Sequence, residues 1–239
     1  MTTPILTVDD LWAGYGEAPV IRGLEVTVEP GEVAVIIGPN GHGKTSLLRA
    51  VSGLVKPDRG EVLLDGEPVQ GQTPEHISGL GLVHIPQGDG LFPEMTVEEN
   101  LLMGAFPGSA WRSRRRALAR VYELFPGVRD RARQRARTLS GGERRLTALA
   151  RGLMRQSRIM LIDEPSLGLA PVAIDTVYGA IAELKEASTT ILLVEENFTH
   201  VGGIADTVHI VEMGVIIRSG SFDELSRDPT IVGTYLGSL

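Results

Sequence analysis

The sequence predicts an α/β fold with a mainly parallel sheet, interrupted by an all-helical insertion. Three observations carry this reading. Short β-branched runs alternate with helical patterns along most of the chain, and strand–helix–strand alternation gives a parallel sheet with helices on both faces. Ile159–Ile162 and Thr190–Val194 are continuous apolar runs with no polar alternation, the pattern of strands covered on both faces. From Thr96 to Arg137 the only periodicity is helical.

Each element has its own local reason. Val33–Ile37 is an apolar strand that runs into a glycine-rich turn, and a helix follows over Lys44–Leu54. Glu61–Leu64 reads as a strand ending at the turn Asp65-Gly66, and Leu82–Ile85 as another buried strand. Between them, GQTPEHISG (71–79) reads as a polar connection. Thr96-Val-Glu-Glu99 has the form of a capping box and opens the helical insertion. Tyr122 and Phe125 recur at helical spacing with Leu118 and Val121, so they belong to the core. Val208–Val211 and Val215–Ile217, joined around Met213-Gly214, read as a hairpin.

The bulk numbers agree. A chain of 239 residues, 42% hydrophobic and 22% charged, is ordinary for a globular protein with a core of its own. There is no Cys, which excludes a disulfide framework and Cys-ligated zinc. The longest stretch without a charged residue is thirteen residues, His76 to Gly88, and a spanning helix needs roughly 18. The start, MTTPILTVDD, lacks the basic-then-apolar order of a signal peptide. Membrane association therefore requires a partner. The net charge is −7, yet fifteen Arg face three acids between Arg112 and Arg158. No aromatic interleaving accompanies this basic block, so it reads as a solvated helical face and not as a nucleic-acid surface.

Gly38-Pro-Asn-Gly41-His-Gly43-Lys44-Thr45 is the sharpest motif. It fits Gly-x-x-x-x-Gly-Lys-Ser/Thr between a strand and a helix, the context in which such a loop cradles a phosphate chain. Glycines let backbone N–H groups turn inward, and the helix N-terminus adds partial positive charge. Lys44 supplies a point charge to the terminal phosphates, and the Thr45 hydroxyl can ligate Mg²⁺. The chain has three Lys against twenty Arg and places a Lys here. Ile159-Met-Leu-Ile-Asp163-Glu164 is a buried strand with two carboxylates at its C-terminal end, where open α/β sheets bind ligands. Asp163 suits a Mg²⁺ partner, and Glu164 a general base that polarises the attacking water. Leu139-Ser140-Gly141-Gly142-Glu143 is a second capping box, whose consecutive glycines leave backbone N–H groups bare at a helix N-terminus.

With these three motifs in this order and spacing, the chain resembles the ATP-binding cassette (ABC) family over essentially its whole length. FPEMTVEENL, VYELFP, DEPSLGLAP and the terminal YLG are similar to the ATP-binding subunits of branched-chain amino-acid importers. The resemblance implies a P-loop NTPase core with a mainly parallel sheet and an N-terminal antiparallel β part. It implies one domain over residues 1–239, with a helical subdomain over 88–150. ATP and Mg²⁺ are the implied cofactors. The phosphate loop contributes Gly38, Asn40, Gly41, Gly43, Lys44, Thr45 and Ser46. Tyr15 matches the aromatic that stacks on adenine. Gln87 matches a glutamine that senses Mg²⁺ and water, and Ser140, Gly141 and Gly142 match the signature that contacts the γ-phosphate held by an opposite subunit.

The remaining implications concern partners. One copy of each motif makes two half-sites, so a second cassette subunit is expected, a non-identical one favoured over a second copy of this chain, as are transmembrane permease subunits and, indirectly, a solute-binding protein. The expected location is cytoplasmic, peripheral on the inner face of the cell membrane. A soluble cassette acting on DNA or ribosomes is the alternative; the absence of coiled-coil or zinc insertions and of a second cassette copy argues against it. The apolar loop Gly90-Leu91-Phe92-Pro93 is expected to face the permease. Two positions depart from the wider family: Ala170 stands where an Asp is common, and Glu196 stands where the switch histidine belongs, with His200 out of alignment.

Overall fold

The computed structural model describes residues 3–16, 18–106, 110–155, 157–231 and 233–234; the terminal YLG lies outside them. The chain opens with β1 (Leu6–Gly14) and β2 (Pro19–Val28). Both alternate buried and exposed residues, the pattern of a sheet with one face on the core. Asp10 has a positive φ of 42° and the ladder shifts register around it, so a bulge interrupts the alternation of β1. Next come β3 (Val33–Ile37), α1 (Lys44–Val51), β4 (Arg59–Leu64) and β5 (Glu67–Pro68).

The stretch expected to be a polar connection contains a short helix, α2 (Pro74–Gly79). Thr73 caps it by accepting from the His76 N–H, and Pro74 sits at its first position, where a missing N–H costs nothing. After β6 (Leu82–Ile85), the stretch Thr96–Arg137 predicted to be helical holds α3 (Val97–Gly104), α4 (Ala110–Leu124) and α5 (Pro126–Arg129), and α6 (Gly141–Leu153) comes after it. One isolated bridge, Thr96 with Arg135, ties its two ends together. The chain returns through β7 (Ile159–Asp163), α7 (Pro171–Glu186), β8 (Thr190–Glu195), β9 (Thr207–Glu212) and β10 (Val215–Gly220).

Two sheets result. β2-β1-β4-β5 is antiparallel, and β10-β9-β3-β8-β7-β6 is parallel except for the edge hairpin β9–β10. β3, β7 and β8 are buried at every residue, as their unbroken apolar sequences require. One core lies between the two sheets around α1; the other packs the opposite face of the parallel sheet against α7 and the helical stretch. In parallel register, Ile37 pairs with Glu195 and Asp163 with Val194. The C-terminal ends of β3, β7 and β8 therefore emerge side by side.

Candidate active site

The loop 38–43 leaves β3 and enters α1. Gly41 and Gly43 have φ of 82° and 101°, in the left-handed region that suits glycine. Gly38 is required by contact instead: a Cβ there would lie 2.4 Å from the Val211 carbonyl oxygen. The β9–β10 turn clamps the loop, with Gly214 N–H donating to the His42 carbonyl (3.1 Å). Lys44 is buried, and its side chain folds back into the loop. Its Nζ donates to the carbonyls of Gly38 (2.7 Å) and Pro39 (3.2 Å).

The same ammonium reaches Glu164 Oε1 at 3.1 Å. The second oxygen of Glu164 accepts from Gln87 Nε2 at 3.0 Å. One carboxylate is thus bracketed by a cation from the phosphate loop and an amide from the loop after β6. Beside it, Thr45 Oγ1 donates to Asp163 Oδ1 at 3.0 Å. Burial raises the Asp163 pKa; the Thr45 hydrogen bond opposes the rise and the neighbouring Glu164 adds to it. A cavity of about 240 Å³ opens over this group. Asn40, Gly41, Gly43, Lys44, Thr45 and Ser46 line one side, Gln87 and Glu164 the other.

The donor set suits a nucleotide with a hard cation. A glycine-rich loop lining the cavity, a helix N-terminus and one ammonium fit a phosphate chain. Thr45, Asp163 and Gln87 offer oxygen ligand atoms, one of them a carboxylate, and Mg²⁺ is commonly held by one or two carboxylates together with substrate phosphates. No cluster of three His, Cys, Asp or Glu exists among the described residues, so nothing here forms a closed all-protein metal cage.

Other predicted residues lie outside the cavity. Tyr15 is exposed, and its hydroxyl accepts from Arg49 of α1 (3.1 Å). Ser140, Gly141 and Gly142 start α6. The capping box is complete: Glu143 N–H donates to Ser140 Oγ (3.3 Å) and Ser140 N–H to Glu143 Oε2 (2.8 Å). Gly142 also has a packing reason that capping did not require, because a Cβ there would meet Ala173 Cβ at 2.9 Å where α6 crosses the start of α7. Glu196 does not turn away from the loop; its Oε2 accepts from Asn40 Nδ2 at 2.8 Å.

The expectation for Leu91 is overturned. Leu91 joins the core under the helical stretch, while Phe92 is 45% exposed. Asp89 makes this possible by accepting the Leu91 N–H (3.0 Å), which turns the side chain inward. The basic block is also less solvated than its composition implied. Arg151 donates to the Gly90 carbonyl (2.8 Å), Arg144 to Asp89 (2.8 Å), and the buried Arg145 to the Gly88 carbonyl. These three arginines of α6 hold the loop that follows Gln87. No local signal separates them from surface arginines, because these acceptors in the loop lie 55, 57 and 61 residues away.

The ABC transporter family model matches residues 21–167, which contain the phosphate loop, the signature and the Asp163-Glu164 strand. The chain belongs to the ABC transporter family. As an ABC ATPase it is of a class that binds and hydrolyses ATP. It is 34% identical to the branched-chain amino-acid transport ATP-binding protein BraG of Pseudomonas aeruginosa, covering 98% of this chain and 100% of that one. BraF of the same organism is 33% identical, and LivG of Escherichia coli 32%, each over 99% of both chains. Among solved structures, an ATP-binding cassette of an ABC transporter in its ADP conformation superposes with a TM-score of 0.87 at 27% identity, covering 99% of this chain and 100% of that chain. A nucleotide-free cassette gives 0.86 at 28%, covering 98% and 100%.

Proposed function

We propose that this chain is the ATP-hydrolysing subunit of a membrane importer for branched-chain amino acids or a related amino acid or amide. The observation that carries the catalytic part is Glu164 bracketed by Lys44 and Gln87 beside the Thr45–Asp163 pair. In this reading the loop and Lys44 hold the phosphates, Tyr15 takes the adenine face, and Glu164 accepts a proton from the attacking water. Thr45, Asp163 and Gln87 would hold Mg²⁺, which would neutralise charge on the phosphates. The transport substrate class rests on the relatives' names alone.

Ser140, Gly141 and Gly142 start α6 outside the cavity, which supports a site completed by a second cassette. BraF and BraG are two distinct ATP-binding proteins of one organism and are similar to this chain at nearly equal identity, which favours a heterodimer. No helix among the described residues is long and apolar enough to cross a membrane, so permease chains would anchor the subunit to the inner face. A groove lined by Val83, His84, Met103, Phe106, Arg151 and Arg155 is proposed to receive a cytoplasmic helix of the permease. Phe106 and Met103 are exposed there. The test is affinity purification from a mild-detergent membrane extract, with ATPase measured on the product. Co-purified permeases and a second cassette, with turnover lost in Glu164→Gln, are expected; ribosomal proteins or DNA in their place would overturn the reading.

A further inference from the structure

Behind the cavity, on the far side of Glu164, lies a second group of buried polar side chains that the catalytic reading leaves unused. Glu195, the last residue of β8, is 2% exposed. Its Oε1 accepts from the hydroxyl of Ser166 and lies 3.7 Å from His200 Nδ1. The Tyr178 ring lies 5.5 Å from the His200 ring. The Tyr178 hydroxyl interacts with the Glu195 carboxyl and with Ser166, while His200 Nδ1 has no hydrogen-bond partner among the described residues. A buried group with an unpartnered member is costly, so its retention calls for a reason.

Glu164 supplies one. Its φ is 44°, a left-handed backbone at a non-glycine residue. Such a conformation is strained and persists only where its surroundings over-determine it. Two contacts hold the turn that Glu164 begins, and both end on the tip of β8. The Glu164 N–H donates to the Val194 carbonyl (3.0 Å), and two residues on, Ser166 donates to the Glu195 side chain. The backbone of Glu195 also accepts from Gly38 N–H (3.3 Å), at the start of the phosphate loop. Glu195 therefore touches both halves of the site from behind.

We propose that Glu195 is a positioning residue for hydrolysis: anchored on Ser166, its carboxyl fixes the turn that presents Glu164 to the cavity. This rests on Glu164 being the base. Burial pushes the Glu195 pKa up, against the Ser166 bond and His200. A glutamine would keep the shape of the side chain and an acceptor for Ser166.

The experiment uses the transporter complex carrying wild-type or variant chain. Glu164→Gln sets the background from any site not built on this chain. Glu195→Ala is expected to lower kcat at least tenfold with ATP affinity within about twofold of wild type. Glu195→Gln is expected to restore most of the turnover. Ser166→Ala should match Glu195→Ala, and the double variant should be no worse than either single one. Wild-type kcat in Glu195→Ala, equal damage by Ala and Gln, or ATP affinity lost in step with kcat would overturn the proposal. If Glu195→Ala does not fold, Ser166→Ala with wild-type kcat overturns it alone. If Glu164→Gln turns over like wild type, the assignment of the base fails, and that outcome is distinct from failure of the anchor.

Discussion

Asn40 and Glu196 join the phosphate loop to the segment after β8 through one hydrogen bond, Nδ2 to Oε2 at 2.8 Å. A carboxylate thus sits on the loop that the reading above gives to an anionic phosphate chain. Like charges disfavour each other, but Glu196 is exposed, and water screens the repulsion. Replacing it with Gln or His is expected to raise ATP turnover several-fold, His more than Gln because it can be protonated. Steady-state ATPase of the chain alone, and mixed with its partner cassette, checks this. Rapid turnover by the unmodified chain alone that neither substitution changes would show that Glu196 imposes no penalty.

Lys44→Ala removes the ammonium from the loop and leaves Glu164 buried without its counter-charge. Titration with a fluorescent ATP analogue is expected to show affinity reduced at least tenfold. Breaking a buried pair from one side costs about 3–5 kcal/mol, so denaturant unfolding should also show a lower midpoint. Unchanged affinity would remove Lys44 from the phosphate site.

Leu91 and Phe92 are neighbours with opposite fates. Leu91→Ala should cost about 2–5 kcal/mol of stability, as for other buried leucines, and a charge at Leu91 should unfold the helical stretch. Phe92→Glu should stay folded, keep its ATP affinity and lose coupling to transport. Thermal melts separate the two, and solute uptake by reconstituted vesicles tests the coupling. Normal uptake with Phe92→Glu would remove Phe92 from the permease contact.

His84 gives a pH prediction. Burial, reinforced by Arg49, lowers its pKa from 6.5 to about 4, and its Nδ1 lies 3.0 Å from Ser52 Oγ. Between those two pH values the unfolded chain binds a proton that the native chain does not. Stability therefore rises with pH across the window, is fully present above about pH 6.5, and is lost as the pH falls toward 4. The contribution is up to about 3 kcal/mol. Urea unfolding across this range should show a shallower pH slope for His84→Gln than for wild type; parallel slopes would contradict the assignment.

Where neighbours along the chain set a feature, the sequence alone determined it. The phosphate loop is legible because glycines at 41 and 43 permit left-handed backbone next to a helix start, and both predicted capping boxes close within three residues. The unbroken apolar strands β3, β7 and β8 announce their burial. The short helix α2 was hidden because six mostly polar residues carry almost no periodicity. The rest needed the tertiary structure. Thr45 meets Asp163 across 118 residues and Gln87 meets Glu164 across 77, brought together only by the parallel register that aligns the strand ends. The inward turn of Leu91, the loop-holding role of Arg145 and Arg151, and the Ser166–Glu195 anchor depend on the same long-range pairing. A local pattern specifies dihedrals and faces; which side chains share a cavity is decided by strand order, and a single segment does not contain it.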